Sequence, residues 1–347
     1  MPDLITYRAV KKVARLHDPR RNFELSEIES EMRYDPLTGD SARICHFAVP
    51  KREVPDLTPL LEASEPHCPF CPQVIERVTP RYPEALLPGG RMARGEALLV
   101  PNLFPYDDVS AILVMSRAHF LPMDQVPART VADSLKLARD FISLVAPGLG
   151  ERAAYGVVTW NYMPPSGASQ VHPHMQVIVT DTPGNALRRE LEGEALFALR
   201  YGRPYGEALA QAERRGGSRW LGEQGPVDWW VPYCPVGMLG DAQGMFRDRP
   251  TLTECSDDEL EAFADFLVRV LAAYARLGFW SFNLTLLPDA QSEGARRHRL
   301  VARLLPRFYL NPTLHTSDVA YMQLLLAEKF AMVYPEAHAA ALRGTLR

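Results

Sequence analysis

Residues 97–120, ALLVPNLFPYDDVSAILVMSRAHF, place two apolar runs on either side of a turn-rich segment, a pattern that predicts strand, turn, strand. The stretch TVADSLKLARDFISLVA that follows has the period of an amphipathic helix, and YGVVTW after it reads as a further strand, giving a ββαβ unit. The order recurs from residue 228. DWWVPYCPVGML predicts a strand, GDAQGMFRDRPTLTE an irregular connection, SDDELEAFADFLVRVLAAYARL a helix and WSFNLTLL a strand. The second helix carries its own start signal, because Ser256 stands three residues before Glu259 as a capping box. Leu260, Phe263, Leu267, Val270, Leu271 and Tyr274 then form one apolar stripe that needs a sheet to cover it. Between the two copies, NALRRELEGEALFALRYGRPYGEALAQAERRGGSRW is charged and helical in character and is expected to be a solvated connection ending at Gly216 and Gly217. The expected fold is α+β, with two tandem units that each lay a helix on an antiparallel sheet. Its divisions are 1–184, a connection over 185–225, and 226–347.

The segment SGASQVHPHMQVIVT, residues 166–180, runs from a loop of small and polar residues into a strand of alternating character. With a side-chain period of two, His172, His174 and Gln176 share one face, and Val171, Met175 and Val177 share the other. Three roles compete for His174: a satisfied core histidine, a metal ligand, or a nucleophile. The setting suits phosphate chemistry, since the N–H groups and hydroxyls of Ser166, Gly167 and Ser169 can receive phosphate oxygens while a neutral imidazole attacks. Gln176 is uncharged and can orient an oxygen without repelling an anion, and Asn161 can add an amide donor from the preceding strand.

A second site stands at HCPFCP, residues 67–72. Cys68 and Cys71 form a turn that can present both thiolates to one zinc, though the same spacing serves a redox pair or two unrelated buried thiols. His119 and His172 are available as further ligands, whereas His67, adjacent to Cys68, is badly placed to close a tetrahedron and is expected at the surface.

Composition narrows the function classes. Thirty-eight Lys and Arg against forty-two Asp and Glu give a net charge of −4 over 347 residues, which argues against a protein that coats nucleic acid. No run approaches the length of a membrane span, and the first residues hold no apolar core of signal-peptide length, so a cytoplasmic location is expected. Five cysteines, Cys45, Cys68, Cys71, Cys234 and Cys255, are too few and too odd in number for a disulfide framework.

Taken in order, RYDPLTG at 33–39, CPFCP at 68–72, the histidine of MSRAH at 119, and the SGASQ loop with HPHMQ resemble galactose-1-phosphate uridylyltransferase and its relatives in the histidine-triad superfamily. The resemblance implies two histidine-triad-like units and a nucleotidyltransferase in which His174 becomes covalently nucleotidylated. It further implies that Gln176 contacts the phosphoryl group and that Asn161 and Ser169 hold phosphates. Cys68, Cys71, His119 and His172 would hold Zn2+, and the chain would pair as a homodimer. The donor would be a nucleoside diphosphate sugar or related diphosphate, and the acceptor a phosphate-bearing compound. Galactose fits poorly, because RRHRLVARLLPR at 296–307 carries one histidine, His298, where that enzyme's second half is histidine-rich. Arg303 and Arg307 are expected either to bind a substrate phosphate or to lie on the exposed face of an edge strand. The SGASQ loop also resembles dinucleoside polyphosphate phosphorylases, which use orthophosphate as acceptor. A non-catalytic nucleotide- or zinc-binding module is the alternative outside enzymes.

Overall fold

The computed structural model describes residues 4–45, 52–291 and 297–346. The chain opens with a hairpin of β1 (Arg8–Asp18) and β2 (Glu24–Tyr34), to which β3 (Ser41–Cys45) adds, followed by the short helices α1 (Thr58–Ser64) and α2 (Ile75–Val78). The first repeat holds β4 (Met92–Arg94), β5 (Ala97–Pro101), β6 (Val109–Val114), α3 (Ala128–Leu149), β7 (Tyr155–Tyr162) and β8 (His174–Thr180). Two helices follow, α4 (Asn185–Tyr201) and α5 (Tyr205–Gly216). The second repeat holds β9 (Trp220–Gln224), β10 (Val227–Trp230), β11 (Ala242–Phe246), α6 (Asp257–Arg276), β12 (Ser281–Leu287) and β13 (Val301–Arg307). A small ribbon of β14 (Tyr309–Asn311) and β15 (Thr316–Ser317), then α7 (Tyr321–Leu325), β16 (Lys329–Ala331) and α8 (Pro335–Thr345), complete the chain.

Duplication is written in the topology. One ten-stranded antiparallel sheet runs β4-β5-β6-β8-β7-β12-β13-β11-β10-β9, so both halves have the same strand order when followed from either edge to the seam. At the seam β7 pairs with β12, with Trp160 opposite Leu284, Asn161 opposite Asn283 and Tyr162 opposite Phe282. Alternation then sorts the two faces. Val158, Trp160 and Tyr162 of β7, Met175, Val177 and Val179 of β8, and Phe282, Leu284 and Leu286 of β12 enter one apolar core under the adjacent helices α3 and α6. Asn161, Gln176 and Asn283 fall on the opposite face, where they are only half-buried. The expected capping box of α6 is present, with Glu259 N–H donating to Ser256 Oγ and Ser256 N–H to Glu259 Oε2.

Several sequence expectations need correction. The segment read as an irregular connection contains the buried strand β11, whose AQGMF run lacks the β-branched density that marks strands. Gly216 ends α5, Gly217 takes a left-handed turn at φ +70°, and β9 begins at Trp220. The connecting helices are not simply solvated: Leu187, Tyr205, Ala208 and Ala210 are buried, and the buried Glu194 lies 3.1 Å from His298 Nδ1. Strand β13 is interior, between β12 and β11, so Arg303 and Arg307 are on no edge. Both are ion-paired, Arg303 to Glu190 and Arg307 to the buried Asp318, because a guanidinium set among packed elements needs a counter-charge. The small sheet was not foreseen. Its β3 pairs in parallel with β16, and Ala42 and Ile44 pack against Tyr233, Cys234 and Ala331 of the second half.

Candidate active site and metal centre

Two cysteines, separated by a tight turn, and two histidines from distant loops converge beside the first residue of β8. Cys68 and Cys71 follow the short helical turn Glu65–His67, His119 lies in the loop after β6, and His172 precedes β8. Their four candidate ligand atoms all lie within 4.8 Å of one another. Cys68 Sγ and Cys71 Sγ stand 3.5 and 3.7 Å from His172 Nδ1, and Cys71 Sγ stands 3.5 Å from His119 Nδ1. A tetrahedral ion with ordinary zinc–sulfur and zinc–nitrogen bonds sets such edges at about 3.6 Å. The outer ring nitrogens are held as ligand histidines require: His172 Nε2–H donates to Ser116 O at 2.8 Å, and His119 Nε2 lies 2.9 Å from Ser64 Oγ. Phe70 N–H points at Cys68 Sγ, 3.4 Å away. Burial pushes the His172 imidazole down to about 4 and the Cys71 thiol up to about 12, the nearby Cys68 adding to the latter. The histidine is thus neutral and ready to ligate, and Cys71 is a thiol whose ionisation a cation would favour. His67 is exposed and outside the cluster, as expected.

His174 is the first residue of β8, not the second histidine of a longer strand, because Pro173 has no N–H to extend the ladder. Its Nδ1–H donates to His172 O at 2.8 Å, which leaves Nε2 as the free ring nitrogen. It is buried, and burial holds its pKa below the ordinary histidine range. The ring of Phe70 sits 5.2 Å from that of His174 and 6.2 Å from that of His172, so the metal-site turn also walls the histidine. Thr159 pairs with Gln176 across β7 and β8, and two residues further along those strands stand Asn161 and His174.

The preceding loop turns over Pro164–Ser166, with Met163 at φ +67° and Gly167 at φ +84°. Ser166 is buried and its hydroxyl donates inward to Met163 O at 2.7 Å, whereas Gly167 and Ser169 are exposed. Asn161 Oδ1 accepts from Asn283 Nδ2 at 2.6 Å, and Asn283 Nδ2 also reaches Ser166 O at 2.9 Å. Neither Phe70 nor Asn283 carries a strong signal in the sequence. Phe70 was visible only as the residue between two cysteines. Asn283 lies 122 residues from Asn161, and its one sequence signal was an asparagine in the corresponding strand of the repeat.

No family model matches the chain. An uncharacterized protein of Archaeoglobus fulgidus is 30% identical over 317 residues, covering 90% of this chain and 91% of that protein. Among solved structures, a GalT-like protein from Arabidopsis thaliana superposes with a TM-score of 0.71 at 15% identity, over 91% of this chain and 99% of the other. A uridylyltransferase gives 0.67 at 18% identity, over 91% and 98%. An Arabidopsis thaliana ADP-glucose phosphorylase with bound ADP-glucose gives 0.71 at 16%, over 90% and 98%. The chain belongs to one family with the uncharacterized archaeal protein, and it shares its fold with the GalT-like protein, the uridylyltransferase and the ADP-glucose phosphorylase.

Proposed function

We propose that the protein is a nucleotidyltransferase that passes a nucleoside monophosphate through a covalent nucleotidyl-His174. The observation that carries this reading is the buried His174 ring, tied through Nδ1–H to His172 O, with Nε2 left free. Nε2 attacks the α-phosphorus of a nucleoside diphosphate sugar or a related diphosphate, the P–O bond to the phosphorylated leaving group breaks, and an N–P bond forms. The charge that appears on the ring is met by the His172 carbonyl at Nδ1–H, so no proton need leave. The amide of Asn161, Gln176, and the Gly167 and Ser169 segment hold the nonbridging oxygens, where charge accumulates. An oxygen of a second, phosphate-bearing acceptor then attacks phosphorus and breaks the N–P bond.

Zinc suits the Cys68, Cys71, His119 and His172 set, and with four protein ligands it supplies structure, tying the 68–72 turn to the segment that carries His174. The donor class is a sugar nucleotide or a dinucleoside polyphosphate. In support, one structure of the same fold holds ADP-glucose. Orthophosphate as acceptor makes the enzyme a phosphorylase, and a sugar phosphate makes it a transferase; galactose is not proposed as the sugar. Residence in the cytoplasm and a homodimeric state complete the reading. Initial-rate kinetics with each donor and acceptor pair test it: parallel double-reciprocal lines are expected, and intersecting lines would count against a covalent intermediate.

A further inference from the structure

We propose that Asn283 and Arg307, both from the second repeat, are positioning residues that fix which end of the Asn161 amide meets a substrate phosphate. The proposal rests on the reading that phosphate sits at Asn161 beside His174. Asp318, buried, receives a two-pronged bond from Arg307, with Nε at 2.8 Å from Oδ2 and Nη2 at 2.6 Å from Oδ1. Arg307 Nη1 donates to Asn283 Oδ1 at 2.5 Å. Asn283 must therefore turn its amino end away from Arg307, and that end donates both to Asn161 Oδ1 and to Ser166 O. Asn161, with its oxygen turned toward Asn283, presents its Nδ2 donors to a ligand.

An amide has two nearly isosteric ends of opposite polarity, and an asparagine without such partners presents either one. A phosphate oxygen is bound by the donor end and repelled by the acceptor end. The relay from Asp318 through Arg307 and Asn283 leaves one polarity throughout, and it also pins the loop backbone at Ser166. It gives the second repeat a role, since Asn161 and Asn283 face each other across the seam between β7 and β12.

Asn283→Asp tests this, because a carboxylate still accepts from Arg307 but cannot donate to Asn161 Oδ1 or Ser166 O. Calorimetric binding of a nucleoside monophosphate is compared with binding of its parent nucleoside, for each of the common bases. The wild type is expected to prefer the monophosphate, and Asn283→Asp to lose about 10- to 100-fold of that preference with nucleoside binding unchanged, the scale of one hydrogen bond to a charged group. Asn161→Ala is expected to lose as much, and the double variant no more than Asn161→Ala alone. Arg307→Lys, which keeps a donor toward Asn283, is expected to retain most of the preference, and Arg307→Met to lose it. Additive losses in the double variant, equal behaviour of the two Arg307 variants, or an undiminished preference in Asn283→Asp would each overturn the relay. A wild type with no preference for the monophosphate would overturn it too. If the wild type forms no adduct on His174 yet Asn283→Asp abolishes the preference, the covalent reading fails and the relay stands; an adduct formed by Asn283→Asp at the wild-type rate means the reverse.

Discussion

Glu190→Gln separates a structural role for Arg303 from a substrate-binding one. Arg303 Nη2 lies 2.7 Å from each carboxylate oxygen of Glu190, with the Arg303 side chain 25% exposed and that of Glu190 14%. Burial works against the guanidinium, but Glu190 first, and Asp35 and Asp241 further off, outweigh it and hold its pKa above the ordinary value. Removing the carboxylate strands a mostly buried cation. Breaking a fully buried pair costs about 3–5 kcal/mol; with the residual exposure and the two remaining aspartates, about 2–3 kcal/mol is expected here. At a urea dependence of roughly 3 kcal/mol/M, the unfolding midpoint falls by about 0.7–1 M. Glu190→Leu combined with Arg303→Met is expected to recover most of the loss, because an apolar pair of similar volume needs no counter-charge. In both variants the phosphate-dependent part of nucleotide affinity should stay at the wild-type level. The reasoning is refuted if Glu190→Gln leaves the urea midpoint in place while Arg303→Met removes phosphate-dependent affinity.

Other outcomes follow from the same structure. Elemental analysis is expected to find one zinc per chain, and its removal by a chelator, or Cys68→Ala, should lower the melting temperature and slow reaction at His174; a chain that carries no metal contradicts the site. His338 is buried on Tyr274, with Nε2 3.3 Å from the phenol oxygen, and burial, then Arg52, pushes its pKa down to about 3. The unfolded chain therefore binds a proton at His338 that the folded one refuses between pH 3 and about 6.5, so stability rises with pH across that window. From pH 6.5 to pH 5 this group should cost about 1.6 kcal/mol of stability, a slope that His338→Phe should remove; unchanged acid sensitivity in the variant speaks against it. Ser256→Ala deletes one arm of the α6 capping box and is expected to destabilise by about 1 kcal/mol in urea unfolding, whereas a neutral result would mean the cap is dispensable.

The two long helices and the strands around His174 were legible because each has a strong local pattern: the stripe from Leu260 to Tyr274, the capping box, and the alternation of Met175, Val177 and Val179. The cluster of Cys68, Cys71, His119 and His172 was legible in its members, with CPFCP and two spare histidines, but not in its supporting bonds to Ser64 and Ser116, which chain spacing does not encode. What stayed hidden were long-range partnerships. Strand β11 is identified by its neighbours β10 and β13 rather than by its own AQGMF. The engaged state of Arg303 and Arg307 depends on Glu190 and Asp318, one of them on a helix 113 residues away. Pairing of β3 with β16 joins opposite ends of the chain, a contact that no local propensity announces.

The most direct test of the account is intact-protein mass spectrometry of the metal-loaded chain after brief incubation with nucleoside diphosphate sugars and dinucleoside polyphosphates, with His174→Ala alongside. An acid-labile gain of one nucleoside monophosphate is expected on the wild type, absent in the variant and discharged by a phosphate-bearing acceptor. Turnover of a donor with no such gain under quench, or the same gain in His174→Ala, would contradict it.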